Sequence, residues 1–120
     1  MKSLNQVQLI GHLGGDPEVS ESDGKSYARF SIATSEEWLD KKTNVKRENV
    51  EWHNLVCFNK LADITKMYLK KGSRVFASGK LKTSKWQDKN NETKYSTQVV
   101  IDELIMLDQK PTSEDGEWFN

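Results

Sequence analysis

Two stretches of the chain carry aromatic rings and cations at a spacing of two. In Val50 to Phe58, strand alternation places Trp52, Asn54, Val56 and Phe58 on one side and His53, Leu55 and Cys57 on the other. Leu55 and Cys57 suit a core, which leaves two large rings on the opposite side. In Ser73 to Trp86, Val75, Ala77 and Leu81 share one parity, while Arg74, Lys80, Lys82 and Trp86 share the other. Flat rings interleaved with cations on one sheet face suit a single-stranded nucleic acid: rings stack on bases and cations meet phosphates. The stacking candidates are Trp52, Phe58 and Trp86. The candidates for phosphate or polar contact are Arg29, Asn54, Lys60, Lys71, Lys80, Lys82, Lys85 and Lys89.

No constellation for covalent or metal chemistry accompanies them. His12 and His53 lack a Cys/His/Asp cluster at ligand spacing, so no metal and no cofactor are expected. Cys57 has inward parity and no neighbouring base. Lys70-Lys71-Gly72-Ser73 lacks the glycine-rich cradle of a phosphate loop. The carboxylates are scattered rather than clustered as a nuclease would need. A non-enzymatic binding protein is the expectation.

Charge supports the same reading through its distribution. Lys+Arg and Asp+Glu both number 18, yet residues 60–94 hold ten basic residues against three acids. The balance is restored elsewhere, including Glu114, Asp115 and Glu117 near the C-terminus. A single cysteine rules out an internal disulfide and fits a reducing cytosol. No apolar run approaches a membrane span, and MKSLNQ lacks the apolar core of a signal peptide, so a cytoplasmic location and no membrane partner are expected.

The elements that must position these residues follow from alternation and turn chemistry. Residues 4–13 read as a strand with Val7, Leu9, Gly11 and Leu13 inward, Gly11 marking a bend or a close backbone approach. Its outward parity (Gln6, Gln8, Ile10, His12) is uncharged. Gly14-Gly15-Asp16-Pro17 breaks it, and Asp23-Gly24 marks a tight turn. Tyr27 to Thr34 is a second strand with Ala28, Phe30 and Ile32 inward. Residues 35–49, SEEWLDKKTNVKREN, read as a long charged connection in which Trp38 is hard to place in a core. Asn59 is the expected N-cap of a helix over 60–70, with Leu61, Ile64 and Tyr68 on one stripe, Met67 beside it, and Gly72 ending it. A polar loop at 87–93 leads into a last strand, 94–107, whose alternation slips near Val99-Val100-Ile101. The expected division is a domain over 1–108 and a short acidic, aromatic-containing tail over 109–120.

Three strands, a helix and two strands, with a glycine in the first, predict an all-β fold: a five-stranded OB-fold Greek-key barrel with one helix between strands 3 and 4. A sandwich is the alternative. The chain also resembles the bacterial and mitochondrial single-stranded-DNA-binding protein family. The resemblance is carried by N-x-V-x-L-I-G-x-L-G-x-D-P (Asn5 to Pro17), A-T-S-E-x-W (Ala33 to Trp38), E-W-H-x-L-V-x-F-x-K-L-A (Glu51 to Ala62), Y-L-x-K-G-S-x-V (Tyr68 to Val75) and G-x-L-x-T-x-K-W (Gly79 to Trp86). It implies the same fold, sequence-tolerant binding and protection of single strands in replication, repair and recombination, and a homotetramer. It implies stacking roles for Trp38, Trp52, Phe58 and Trp86, and a hydrogen bond of His53 at a subunit contact. The family's acidic tip also implies docking of replication or repair proteins by Glu114, Asp115, Glu117, Trp118 and Phe119. Departures stand beside the match. Asn54 occupies a position where many members carry a cation, Gln6 and Ser84 also stand at often-basic positions, and the family's long linker is nearly absent. The altered tail keeps a phage or mobile-element origin open. The alternative function is an OB-fold protein-interaction module of a primosome or mobile element with weak strand binding.

Overall fold

The computed structural model describes residues 2–108. Over them the chain runs β1 (Val7–Leu13), β2 (Glu18–Ser22), β3 (Lys25–Leu39), β4 (Lys46–Phe58), α1 (Lys60–Tyr68), β5 (Arg74–Gln87) and β6 (Thr93–Met106). The strands lie in the order β1-β5-β6-β4-β3-β2, and a further pairing of β1 with β3 (His12 to Ala33, Leu13 to Ile32) closes the ring. β4 and β6 run parallel, Leu55 beside Val99 and Val56 beside Val100. This is the expected all-β OB barrel, its five strands being β1, β3, β4, β5 and β6. A Cβ added to Gly11 would lie 2.3 Å from the Ala33 carbonyl oxygen, so glycine permits the backbone approach at which β1 reaches β3.

The core forms where alternation puts it. Phe30 and Ile32 of β3, Leu55 and Cys57 of β4, Val75 and Ala77 of β5 and Val99 and Ile101 of β6 are all buried. Cys57 is fully buried, and burial pushes its thiol above the usual range; its sulfur lies 3.4 Å from Thr65 Oγ1.

Several expectations are corrected. Residues 35–49 are not a long connection: β3 and β4 stay paired out to Leu39 and Lys46, and only a short turn joins them. Residues 41–50 are exposed throughout, so this ribbon leaves no apolar alternation to read. β2 was also illegible, because EVSES pairs at the sheet edge with one half-buried residue, Val19. Asn59 is no side-chain cap: it sits at φ 58° and makes no capping bond. The helix start is instead held by Ser26, whose hydroxyl donates to Asp63 Oδ1 at 3.1 Å and approaches the Asn59 carbonyl at 3.2 Å. The helix ends at Tyr68 and buries Ala62 and Thr65, whereas Tyr68 and Met67 are exposed. Leu81, expected inward, is half exposed because β5 has left the barrel there, and Val56, expected outward, is buried between β3 and β6. The slip in the last strand lies at Asp102, skipped where Ser78 pairs with Glu103 and Gly79 with Ile101.

Candidate nucleic-acid interface

Residues paired directly across neighbouring strands share a face, so the register assembles the outer surface row by row. Tyr27 stands across from Phe58, Arg29 from Val56, Ser31 from Asn54 and Ala33 from Trp52. The parallel pairing carries these rows from β4 into β6, placing Val56 beside Val100, and Asn54 and Gln98, each two residues before that pair, line one cleft. The antiparallel pairing carries them into β5: Val100 faces Lys80, Gln98 faces Lys82, Ser96 faces Ser84 and Lys94 faces Trp86. One continuous face therefore holds Trp52, Phe58 and Trp86 together with Arg29, Asn54, Lys80 and Lys82. The three rings are 57%, 48% and 49% exposed, which is far from core burial.

The remaining candidates sit elsewhere. Trp38 is 46% exposed and pairs with Arg47, on the ribbon side opposite to Trp52 by alternation. Lys85 pairs with Tyr95 on the reverse side of the β5–β6 hairpin. Lys60 opens the helix, Lys71 lies in the turn before β5 and Lys89 in the turn between β5 and β6. Among the described residues, the ion pairs of 4.0 Å or less are Arg29–Glu18, Lys46–Glu37, Arg47–Asp40 and those of Lys94 with Asp88 and Glu92. The lysines at 60, 71, 80, 82, 85 and 89 belong to none of these.

Local bonds hold the rings where they are. A Cβ added to Gly14 would lie 2.5 Å from Cζ3 and 2.9 Å from Cη2 of Trp52, so the indole rests against a backbone that only glycine leaves open. Past the barrel, the Asn5 side chain continues the β1–β5 ladder: its Nδ2 donates to the Leu81 carbonyl and its Oδ1 accepts from the Leu81 N–H, both at 2.9 Å. Thr83 and Thr97 hydroxyls meet at 3.0 Å across the β5–β6 hairpin. Asp88 Oδ1 accepts the N–H groups of Asn90 and Glu92 at its tip. His53 Nε2 lies 2.8 Å from Thr34 Oγ1 within the chain.

Residues missing from the sequence reading include Gly14, Tyr27, Ser31, Ser96 and Gln98. Tyr27 and Ser31 have the parity of Arg29, a usable signal; Gly14 and the β6 residues needed the three-dimensional register. Among the described residues, no three His, Cys, Asp or Glu side chains are grouped to hold a metal ion, and no helix is long and apolar enough to cross a membrane. The proposed docking residues Glu114, Asp115, Glu117, Trp118 and Phe119 lie outside the described residues.

Two comparisons bear on this surface. The model of the single-strand binding protein family matches residues 4–107. A solved structure, the Plasmodium falciparum SSB complex with ssDNA, is similar at 37% identity and a TM-score of 0.81, covering 90% of this chain and 98% of that one.

Proposed function

The chain belongs to the single-strand binding protein family, and from that premise we propose that it binds and protects single-stranded DNA during replication, repair and recombination, without reacting with it. The observation that carries this reading is the continuous face on which Trp52, Phe58 and Trp86 stand exposed beside Arg29, Lys80 and Lys82. Stacking contributes about 1–3 kcal/mol per base and tolerates sequence, since every base has a π-face. Phosphate neutralisation adds a salt-dependent part with a log–log slope of about −0.7 per phosphate.

Titrating tryptophan emission with poly(dT), poly(rU) and duplex DNA at two salt concentrations tests it. Poly(dT) should quench strongly and duplex little, because paired bases cannot stack on the rings. Equal quenching by duplex of matched length would defeat the reading.

The assembly we propose is a homotetramer. Along Val7 to Gly11 the described pairing of β1 is with β5 alone, which leaves a backbone edge open. Ile10, Phe76 and Ile105 form an apolar row across β1, β5 and β6, with Ile10 and Ile105 nearly half exposed. A monomer in sedimentation at micromolar concentration would reject this. The acids and the Trp118-Phe119 pair of the tail suit docking to a basic, apolar pocket on a replication or repair protein.

A further inference from the structure

The β5–β6 ribbon has a second side. By its antiparallel register Leu81 faces Val99, Thr83 faces Thr97, Lys85 faces Tyr95 and Gln87 faces Thr93, all turned away from Lys80, Lys82 and Trp86. Tyr95 is 66% exposed, more than Trp52, Phe58 or Trp86. Lys85, directly across from it, belongs to none of the ion pairs among the described residues. Neither arm holds a carboxylate over residues 80–87 or 93–100. The acids of this hairpin, Asp88 and Glu92, lie in the tip and face Lys94. The matching side of the β3–β4 ribbon is different, because there Trp38 and Arg47 share their side with Glu36 and Glu51.

A polyanion can therefore pass round the β5–β6 ribbon without meeting a carboxylate between the barrel and the tip. The two rings of the ribbon stand in adjacent rows on opposite sides, Trp86 across from Lys94 and Tyr95 across from Lys85. Beyond Leu81 and Val99 the arms pair only with each other in the described sheet. A two-stranded ribbon twists strongly, so the direction in which each side looks rotates along its length. We propose that the reverse side is a second strand-binding subsite. A strand that has followed the front face past Trp86 turns round the ribbon edge, stacks a base on Tyr95 and lays a phosphate against Lys85. Tyrosine suits such a place: its ring offers a stacking plane, and its hydroxyl keeps it hydrated when no strand is bound. A single exposed ring is ordinary on a protein surface. The free lysine across from it and the acid-free strip around both give this one its direction.

The proposal rests on the single-strand reading above, and strand length separates the two. Affinities are measured for oligo(dT) of about 8 nucleotides, which fits within one OB-fold site, and of about 35, which exceeds it. Tyr95→Ala should weaken the long oligomer about fivefold or more, the lower end of one base–ring stack. The short oligomer, held by the front rings, should bind as before. Tyr95→Phe keeps the stacking plane and should retain the long-strand affinity. Lys85→Ala should reduce the log–log salt slope of the long oligomer by about 0.7. Trp86→Ala should weaken both lengths. An unchanged long-strand affinity in Tyr95→Ala, or an equal loss at both lengths, with circular dichroism confirming the fold, would overturn the reverse subsite and leave the front face standing. A Tyr95→Ala chain that sediments differently without DNA would make the strip a contact between copies of the chain and overturn the proposal as well. Undiminished binding of both lengths by Trp86→Ala would overturn the front-face stacking itself.

Discussion

The chain extends two ribbons beyond its barrel, and they use the same backbone for different electrostatics. The β3–β4 ribbon, tipped at residues 40–45, ties the two cations of its β4 arm to acids: Lys46 lies 3.1 Å from Glu37 and Arg47 lies 3.2 Å from Asp40, while Lys41 and Lys42 at the tip are in none of these pairs. The β5–β6 ribbon carries Lys80 and Lys82 outside the ion pairs of the described residues, and its only paired cation is Lys94 at the tip. Each has one tryptophan, but Trp86 shares the face of Trp52 and Phe58, whereas Trp38 stands on the other side of its ribbon. The difference teaches that exposure and a charged hairpin do not by themselves put a ring beside its fellows; the side it takes by alternation does.

The sharpest way to break this contrast is to remove each ring. Trp86→Ala should weaken binding to oligo(dT) by about 1–3 kcal/mol with little loss of folding stability. Trp38→Ala should cost less, because a strand following the Trp52–Trp86 face must turn around the ribbon edge to reach it. Equal losses would place both ribbons in the path of the strand, and unfolding of either variant would make that ring a core residue.

Next in size is the base of the β3–β4 ribbon, where Trp52 leans on Gly14. Gly14→Ala places a methyl group where the indole lies, and the ring, being exposed, should swing rather than unfold the barrel. Oligo(dT) affinity should fall by an amount bounded by the loss in Trp52→Ala, about 1–3 kcal/mol. In a Trp52→Ala background the same change should cost nothing further, since the double-mutant cycle removes what the methyl displaces. A full additional loss there would mean that Gly14 acts on the strand by another route.

The lysines separate the ribbons by salt. Lys80→Ala and Lys82→Ala should each reduce the log–log salt slope by about 0.7, the value for one phosphate on a single strand. Lys46→Ala, which removes a cation already facing Glu37, should leave the slope unchanged. A slope altered equally by all three would erase the electrostatic distinction between the ribbons.

How much of this was legible depended on whether an element has a buried side. Tyr27 to Thr34 and Val50 to Phe58 declared themselves because Ile32, Leu55 and Cys57 must leave water, and the opposite parity then names Trp52 and Phe58. The ribbons have no buried side, so residues 35–49 looked like a loop although their backbone is paired at 35–39 and 46–49. The face itself could be read within each strand but not across strands. Nothing in sequence spacing joins Val56 to Val100; the parallel register of β4 and β6 does. The contact of Gly14 with Trp52 was equally hidden, since it depends on where the turn after β1 passes over β4.

The smallest effect concerns the tip of the β3–β4 ribbon. Asp40 holds that turn: its Oδ1 accepts the Lys42 N–H at 2.9 Å, its Oδ2 meets Arg47 Nε at 3.2 Å, and its backbone N–H donates to the Val45 carbonyl. Its carboxyl is held below the usual carboxylate range, first by the Lys42 N–H and then by the Arg47 side chain, against a partial desolvation that works the other way. A depressed carboxyl stabilises the folded turn at pH above its unfolded value, and the contribution disappears as pH falls through the depressed one. Between neutral pH and the ordinary carboxylate range the tip should therefore stay closed, and it should loosen only in more acidic solution. Amide exchange at Lys42 and Asn44 should rise there relative to the base-catalysed expectation, and Asp40→Asn should show the looser tip at neutral pH, because an amide is a weaker acceptor for Lys42 and carries no charge for Arg47. The barrel amides of Leu55 and Val75 should not respond, since the tip lies beyond the core. Loosening of tip and barrel together would mean that the ribbon and the barrel open as one unit, and the separation between them would fail.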